Sequence, residues 1–283
     1  MASEPATDST SVPIEADRAS RPRQQKPGLI RTSLGVGWNL IPLATFVAMV
    51  GLWAGAIRIF EIPSYLLPGP AGVFHVLVSE PGMLWDNAQT TLAEILLGFG
   101  LTLLSAIPLG LVIALSPLAK QVLYPPAMLL QLLPKVAVAP LFLVWFGFGI
   151  DSKVVLTLLM TFFPLLIASI AGFQILDTRF LYLTRSMGAT SWQTFRYLRV
   201  PAALPVIFSG IRTSATIAAT AAIVAEFVGA NKGLGYVLLK GTSTMNLQLT
   251  FAVLVILTVI GLVINYAVEL SEWLLAPWQR SGS

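Results

Sequence analysis

The sequence predicts an all-α membrane protein: a bundle of six membrane-spanning helices interrupted by one ordered polar segment. Three observations predict it. The 283-residue chain is 56% hydrophobic and only 11% charged, whereas soluble domains carry about 25% charged residues. Six apolar stretches, about 36–57, 90–116, 122–147, 153–176, 206–229 and 249–273, meet the roughly 20 residues that a helix needs to cross the hydrocarbon core. A polar island, 177–205, separates the fourth stretch from the fifth, and a loop of that length between helices is functional when it is ordered.

Residues 1–34 are rich in Ser, Pro, Arg, Glu and Gln and lack an apolar run. They read as a disordered cytoplasmic tail. The membrane domain is expected over 35–276, and 277–283 as a short cytoplasmic C-terminal tail. A basic stretch before an apolar one also suits a signal peptide, with Ala54-Gly55-Ala56 as its cleavage site. The run from Val36 to Ile57 is longer than a signal's apolar core, so it is read as an uncleaved first span.

Between the first two spans, the Pro68-Gly69-Pro70 turn leads into an amphipathic stretch with Phe74, Val76 and Leu77. That pattern predicts a helix lying in the interface. The second span holds Gly98, Gly100, Ser105, Pro108 and Gly110, and the fifth reads SATIAATAAIVAEF. Small residues let helices approach closely in lipid. The third and fourth spans share a short link, Gly147 to Ser152, so they are antiparallel neighbours. Prolines 108, 125, 126, 134, 140 and 164 lie within spans, which is tolerated only where neighbours or a cavity satisfy the freed carbonyls.

Charge orients the bundle. With the N-terminus inside, the cytoplasmic side holds Arg18, Arg21, Arg23, Lys26, Arg31, Lys120, the island arginines (Arg179, Arg185, Arg196, Arg199), Arg212 and Arg280. The outside holds only Arg58, Lys153, Lys232 and Lys240. This asymmetry puts the island and both termini in the cytoplasm. It also accounts for the net charge of +4 without nucleic acid as a partner.

The island carries its own folding signals. Asp177 is placed to N-cap a helix that runs to Met187, and Gly188 supplies a left-handed stop. Thr190 and Gln193 form a capping box for a second short helix. Pro201 and Pro205 are expected to stop that helix short of the next span. Trp192, Phe195 and Arg199, at i, i+3 and i+7, share one helical face. A surface hairpin with no partner is the plain alternative. A DNA-binding helix-turn-helix is excluded by tethering between two spans.

Lys135, Glu226 and Glu94 are charges inside spans, where they are costly and face a bundle interior or cavity. Lys135, mid-span beside Pro134, is expected to point inward, toward a pathway or a partner such as Glu226; the alternative is an interfacial position at a shorter, broken helix. Glu226 reads equally as a structural partner or a pathway residue, and Glu94 as interfacial. Thr213, Thr216 and Thr220 form one stripe of the fifth span; it either lines a pathway or satisfies helix carbonyls. His75 reads as an interfacial surface residue. The chain has no cysteine and one histidine, so no metal site is expected. The Gly-x-x-x-x-Gly-Lys-Ser/Thr phosphate loop is absent, and Gly229-Ala-Asn-Lys-Gly-Leu-Gly lacks its terminal Lys-Ser/Thr. No nucleophile with its base and acid is visible, so no enzymatic activity is expected.

The island resembles the cytoplasmic EAA loop of permease subunits of bacterial ABC importers. Gly188 matches the loop's glycine, and after nine residues Leu198-Arg199-Val200-Pro201 stands for Ile-x-Leu-Pro. Tyr182-Leu183-Thr184 stands where Glu-Ala-Ala is usual, so any contact of that glutamate with an ATPase is replaced or absent. Arg185 to Ala189, Pro201 to Pro205, Ala139-Pro140-Leu141 through Gly149, and Glu226 to Ala230 followed by Gly233-Leu234-Gly235 are similar to the nitrate/sulfonate/taurine branch. The resemblance covers about 36–275.

This resemblance implies a membrane-spanning importer subunit of the bacterial plasma membrane that works by alternating access. It implies a homodimer of this chain, an extracytoplasmic solute-binding protein, and a separate cytoplasmic ABC ATPase that holds ATP and Mg. The ATPase-coupling residues are then Ser186, Met187, Gly188, Ala189, Thr190, Trp192, Phe195, Arg196, Arg199, Pro201 and Pro205. Lys135, Glu226, Thr216 and Thr220 are the pathway candidates. The solute is expected to be small and anionic (sulfonate, taurine, nitrate or bicarbonate) or a pyrimidine-type vitamin precursor. The rivals are a self-sufficient secondary transporter, which would show midplane ionisable relays and inverted repeats, and a non-transporting scaffold.

Overall fold

The computed structural model describes residues 37–276; the expected tails, with Arg280, lie outside them. Every described element is helical: α1 (Gly37–Ile59), α2 (Pro70–Ser79), α3 (Pro81–Leu115), α4 (Pro117–Leu132), α5 (Lys135–Phe146), α6 (Ile150–Gln174), α7 (Thr178–Ser186), α8 (Ser191–Thr194), a π turn (Phe195–Arg199), α9 (Val200–Gly229), α10 (Leu234–Ser243) and α11 (Leu247–Leu275). The chain divides into two compact units after Met49. Of the first, the described residues are the opening turns of α1, where Phe46 and Met49 are exposed. The second unit, from Val50 onward, carries everything that follows.

Four helices are long and apolar enough to cross a membrane: α3, α6, the continuous helix Ser191–Gly229, and α11. The expected third span is not one straight helix. α4 and α5 qualify only as a pair, bent by 84° between Leu132 and Lys135, which raises the number to five. Pro134 causes the break: it has no N–H to donate back into α4, and it forces Leu133 into extended backbone (φ −62°, ψ 136°). The apolar described part of α1, Ala44–Ile59, is shorter than a full span.

The core is built on α6, which packs along both α3 and α9. Glycine makes these contacts close. A methyl group at Gly98 would stand 2.6 Å from Thr157 Cβ, and one at Gly210 2.3 Å from Ala168 Cβ. Hydroxyls then bridge the three helices. Thr102 and Thr161 share a 2.6 Å hydrogen bond, and Ser214 Oγ donates to the Thr161 carbonyl at 3.1 Å. Around this thread pack Ile95, Phe99, Leu165, Leu166, Phe208 and Ala218. A second cluster joins Leu84 of α3, Leu234 and Val237 of α10, and Val253 and Leu257 of α11.

The interfacial helix after Pro70 exists as α2, but it is no free rider on the bilayer. Val73 is buried, and α2 packs on α11 and α3. Phe74 and His75 remain exposed. α3 begins at Pro81, nine residues before the expected span, because Pro81 sits in its first turn, where a missing N–H is harmless.

Candidate functional site

The polar island folds as its sequence asks. The Asp177 carboxylate accepts from Arg179 N–H at 2.9 Å and starts α7. At its other end, Gly188 has φ +79°. Gly188 N–H donates to Arg185 O and Ala189 N–H to Thr184 O, both at 3.0 Å, the double bond pattern of a glycine-terminated helix. The capping box forms: Gln193 N–H donates to Thr190 Oγ1 (3.2 Å), and Thr190 N–H to Gln193 Oε1 (2.8 Å). Trp192 and Phe195 stack with ring centroids 5.7 Å apart. The Thr184 and Thr194 hydroxyls, 3.3 Å apart, tie the two helices together.

One expectation fails here. Pro201 and Pro205 do not separate the island from the next span. α8, the π turn and α9 form a single helix of 39 residues, Ser191–Gly229. The π turn explains it: Val200 N–H reaches back five residues to Phe195 O, and this wider turn accommodates the proline that follows.

Of the expected coupling residues, Ala189, Trp192, Phe195 and Arg199 line one cleft of about 540 Å³ with Arg185, floored by Leu111 and Leu115 of α3. Ser186, Met187, Gly188, Thr190 and Arg196 are exposed beside it. Pro201 and Pro205 lie on α9.

The buried charges gather at the opposite end of the bundle. Glu226 is 1% exposed and closes the turn after α9. Its carboxylate accepts from Thr91 Oγ1 (2.6 Å), from Gly235 N–H and from Tyr236 N–H (3.2 Å). Leu234 N–H donates to Thr91 Oγ1 (2.8 Å) and Gly233 N–H to Asn87 Oδ1 (2.9 Å). A carboxylate thus caps the N-terminus of α10, where orphan N–H groups and the helix dipole favour negative charge. Gly233 (φ +114°) leaves room for it: a Cβ there would stand 2.3 Å from the carboxylate.

One further expectation is corrected at this end. Glu94 is not interfacial; it is buried, 3.8 Å from the Lys153 ammonium. Lys153 is 5% exposed and donates to Phe148 O and Gly149 O at 3.1 and 3.0 Å. Two opposite charges near matching ends of adjacent spans were the available signal. The polar cluster Asn87, Thr91 and Gly233 left no such mark in the sequence.

Lys135 opens α5 at the break, half-buried. Its ammonium donates to Gln131 O (2.8 Å) and lies 5.5 Å from the Phe163 ring centroid. The expected partner Glu226 is instead bound by its own turn. Thr213, Thr216 and Thr220 share an exposed stripe of α9. Thr213 and Thr216 donate to the carbonyls of Ser209 and Arg212, one turn back. On the same helix Arg212 pairs with Glu272 of α11.

An all-helical bundle with several apolar helices long enough to span a membrane, glycine-tight packing and an ordered polar hairpin at one end is the architecture of a multi-pass membrane protein. Residues 106–281 match the family described as "Binding-protein-dependent transport system inner membrane component", and the chain belongs to that family. A probable ABC transporter permease of Haemophilus influenzae is 33% identical over 83% of this chain and 95% of its own length. The riboflavin transport permease RibX of Chloroflexus aurantiacus is 35% identical over 86% and 92%. The taurine permease TauC of Escherichia coli is 25% identical over 84% and 89%. Among solved structures, an inward-facing MetNI methionine ABC transporter chain superposes with a TM-score of 0.58 at 20% identity, covering 69% of this chain and 97% of that one; that likeness concerns the fold. The protein is thus an ABC importer permease of the inner membrane.

Proposed function

We propose that this chain works by alternating access, driven by ATP hydrolysis in a separate cytoplasmic ABC ATPase that binds the island. The observation that carries this reading is the continuity of the island with α9. A partner that moves the capped hairpin moves a helix running to the Glu226 turn. ATP and Mg belong to the ATPase, and an extracytoplasmic binding protein delivers the solute to a homodimer of this chain. Counting α1 and the bent α4–α5 pair, the subunit crosses the membrane six times. Arg179, Arg185, Arg196 and Arg199 lie on the island, and Lys120 reaches Gln174 at the end of α6 beside it, which supports its cytoplasmic placement with both termini.

The solute is small: a sulfonate, taurine, nitrate or bicarbonate, or a pyrimidine-type compound. Relatives named for riboflavin and formylaminopyrimidine transport, at 35% and 32% identity, support the heterocyclic members of that range. Those named for sulfonates, at 30% and 27%, support the anionic ones. Lys135, Thr216 and Thr220 present polar groups at accessible positions and are the pathway contacts. Glu226, sealed by its own turn, serves the pathway by holding that turn in place.

The test is Gly188→Val, which forces a β-branched residue to φ +79° where no neighbouring atom lies within 4 Å of the new Cβ. Strain is then local to the hairpin. The bundle is expected to fold while co-purification of the ATPase or solute-stimulated hydrolysis collapses. Gly188→Asn, which tolerates that backbone, restores both. Unchanged transport by the valine variant refutes the assignment.

A further inference from the structure

The cleft beneath the hairpin has a chemistry of its own. Its floor is Leu111 and Leu115, the last turn of a membrane-spanning helix, and Trp192 and Phe195 form an aromatic wall. Its polar rim includes Arg185 and Arg199. A second cleft of about 310 Å³ adjoins it, shares Leu115, Leu181 and Arg199, and adds Lys120. Among the described residues, no acidic side chain lines either cleft, and neither Arg185 nor Arg199 makes an ion pair. Lys120 is held by Gln174 Oε1 at 3.0 Å.

We propose that this double cleft binds an anionic phospholipid, its phosphate against Arg185 and Arg199 and the start of an acyl chain along Leu111, Leu115 and Trp192. The depth selects the ligand. A floor made by the final turn of a span lies at the edge of the hydrocarbon, where a lipid is already present and a soluble protein must enter the headgroup layer. The charge selects it too, because basic pockets between spans at the membrane surface suit anionic headgroups. An indole at that level fits the aromatic belt. The lipid would wedge the hairpin against α3 and set how freely the hairpin moves. The inference rests on the island lying at a membrane surface, and not on an ATPase being its partner.

The test uses the full-length chain in nanodiscs of phosphatidylcholine with 20 mol% phosphatidylglycerol, one lipid or the other carrying brominated acyl chains. Quenching of Trp192 is taken as the difference between wild type and Trp192→Phe. Brominated phosphatidylglycerol is expected to quench Trp192 in preference to brominated phosphatidylcholine. Arg185→Gln with Arg199→Gln is expected to lower that preference by roughly thirtyfold, each cation contributing about fivefold. The two substitutions keep most of the side-chain stems, at an exposed position (Arg185) and a half-buried one (Arg199), and an unchanged elution profile checks the fold. Equal quenching by the two lipids overturns the proposal, as does a preference that survives the double substitution. Added purified ATPase is expected to leave the wild-type preference in place; its abolition by the ATPase would assign the cleft to protein docking and overturn the proposal as well. ATPase retention by the unsubstituted chain is scored in the same nanodiscs: failure to retain it with the lipid preference intact counts against the coupling reading alone.

Discussion

Replacing Gly233 by alanine attacks the turn that Glu226 holds. The backbone there, φ 114° and ψ 163°, lies in a region used almost only by glycine, and another residue costs about 1–3 kcal/mol to keep in it. The new Cβ would also stand 2.3 Å from both Glu226 Cδ and Oε2, and overpacking of this kind costs about 1–3 kcal/mol. Turning the carboxylate aside gives no relief. It strips the acceptor from Gly235 N–H, Tyr236 N–H and the Thr91 hydroxyl, and each buried donor left unpaired costs about 1–3 kcal/mol. The expected loss is therefore about 2–6 kcal/mol. At about 2–4 °C per kcal/mol for a chain near this size, the apparent unfolding midpoint falls by at least about 4 °C. The assay is thermal unfolding of the purified chain at fixed detergent, followed by tryptophan fluorescence. Gly100→Ala is the control: nothing lies within 4 Å of its new Cβ, and alanine stabilises a helix interior by about 0.5–1 kcal/mol relative to glycine. A Gly233→Ala midpoint within a degree or two of wild type would show that the turn yields freely and that Glu226 holds nothing in place.

Other substitutions probe the remaining charges and the topology. Lys153→Met removes the cation beside buried Glu94 and is expected to lower the folded yield; adding Glu94→Gln should recover most of the loss, and no recovery would argue that Lys153 matters only through its bonds to Phe148 and Gly149. Lys135→Met should leave assembly and basal ATP hydrolysis near normal while uptake falls; full uptake would remove Lys135 from the pathway, and a loss of assembled complex would make it structural. Cysteines at Ser191 and Asn231, both exposed and in a chain with no native cysteine, should label from the cytoplasmic and the outer side respectively; labelling from one side only would overturn the orientation.

The island was legible because its signals are local. Asp177, Gly188, Thr190 and Gln193 each act within five residues of themselves, so their bonds could be written down before any tertiary contact was known. Pro201 misled because a proline rule presumes α-helical spacing, and the helix escaped through a π turn that no residue type announces. The break in the third span was legible only as an alternative: apolar residues flank Pro134 and Lys135 on both sides, and hydropathy counts them as one stretch while the backbone turns at Pro134. Glu94 was misread for a different reason. Its partnership with Lys153 spans two helices, and charge near the end of an apolar run is ambiguous until the neighbouring run is laid beside it. The double cleft depends on how α3 ends against the hairpin, a relation that pattern within either segment does not contain.

The continuity of Ser191–Gly229 has a mechanical consequence. At about 1.5 Å per residue, 39 residues make a rod roughly 58 Å long. Its near end carries Trp192 at one membrane face, and Glu226 sits three residues short of the far end. No loop interrupts it to absorb a displacement. A tilt of about 5° pivoting near Trp192 would carry the tip about 5 Å, close to the 5.4 Å pitch of a helical turn. The hydrogen bonds that Glu226 makes to Gly235, Tyr236 and Thr91 would not stretch that far. The stroke therefore either breaks that catch or drags α10 along with it.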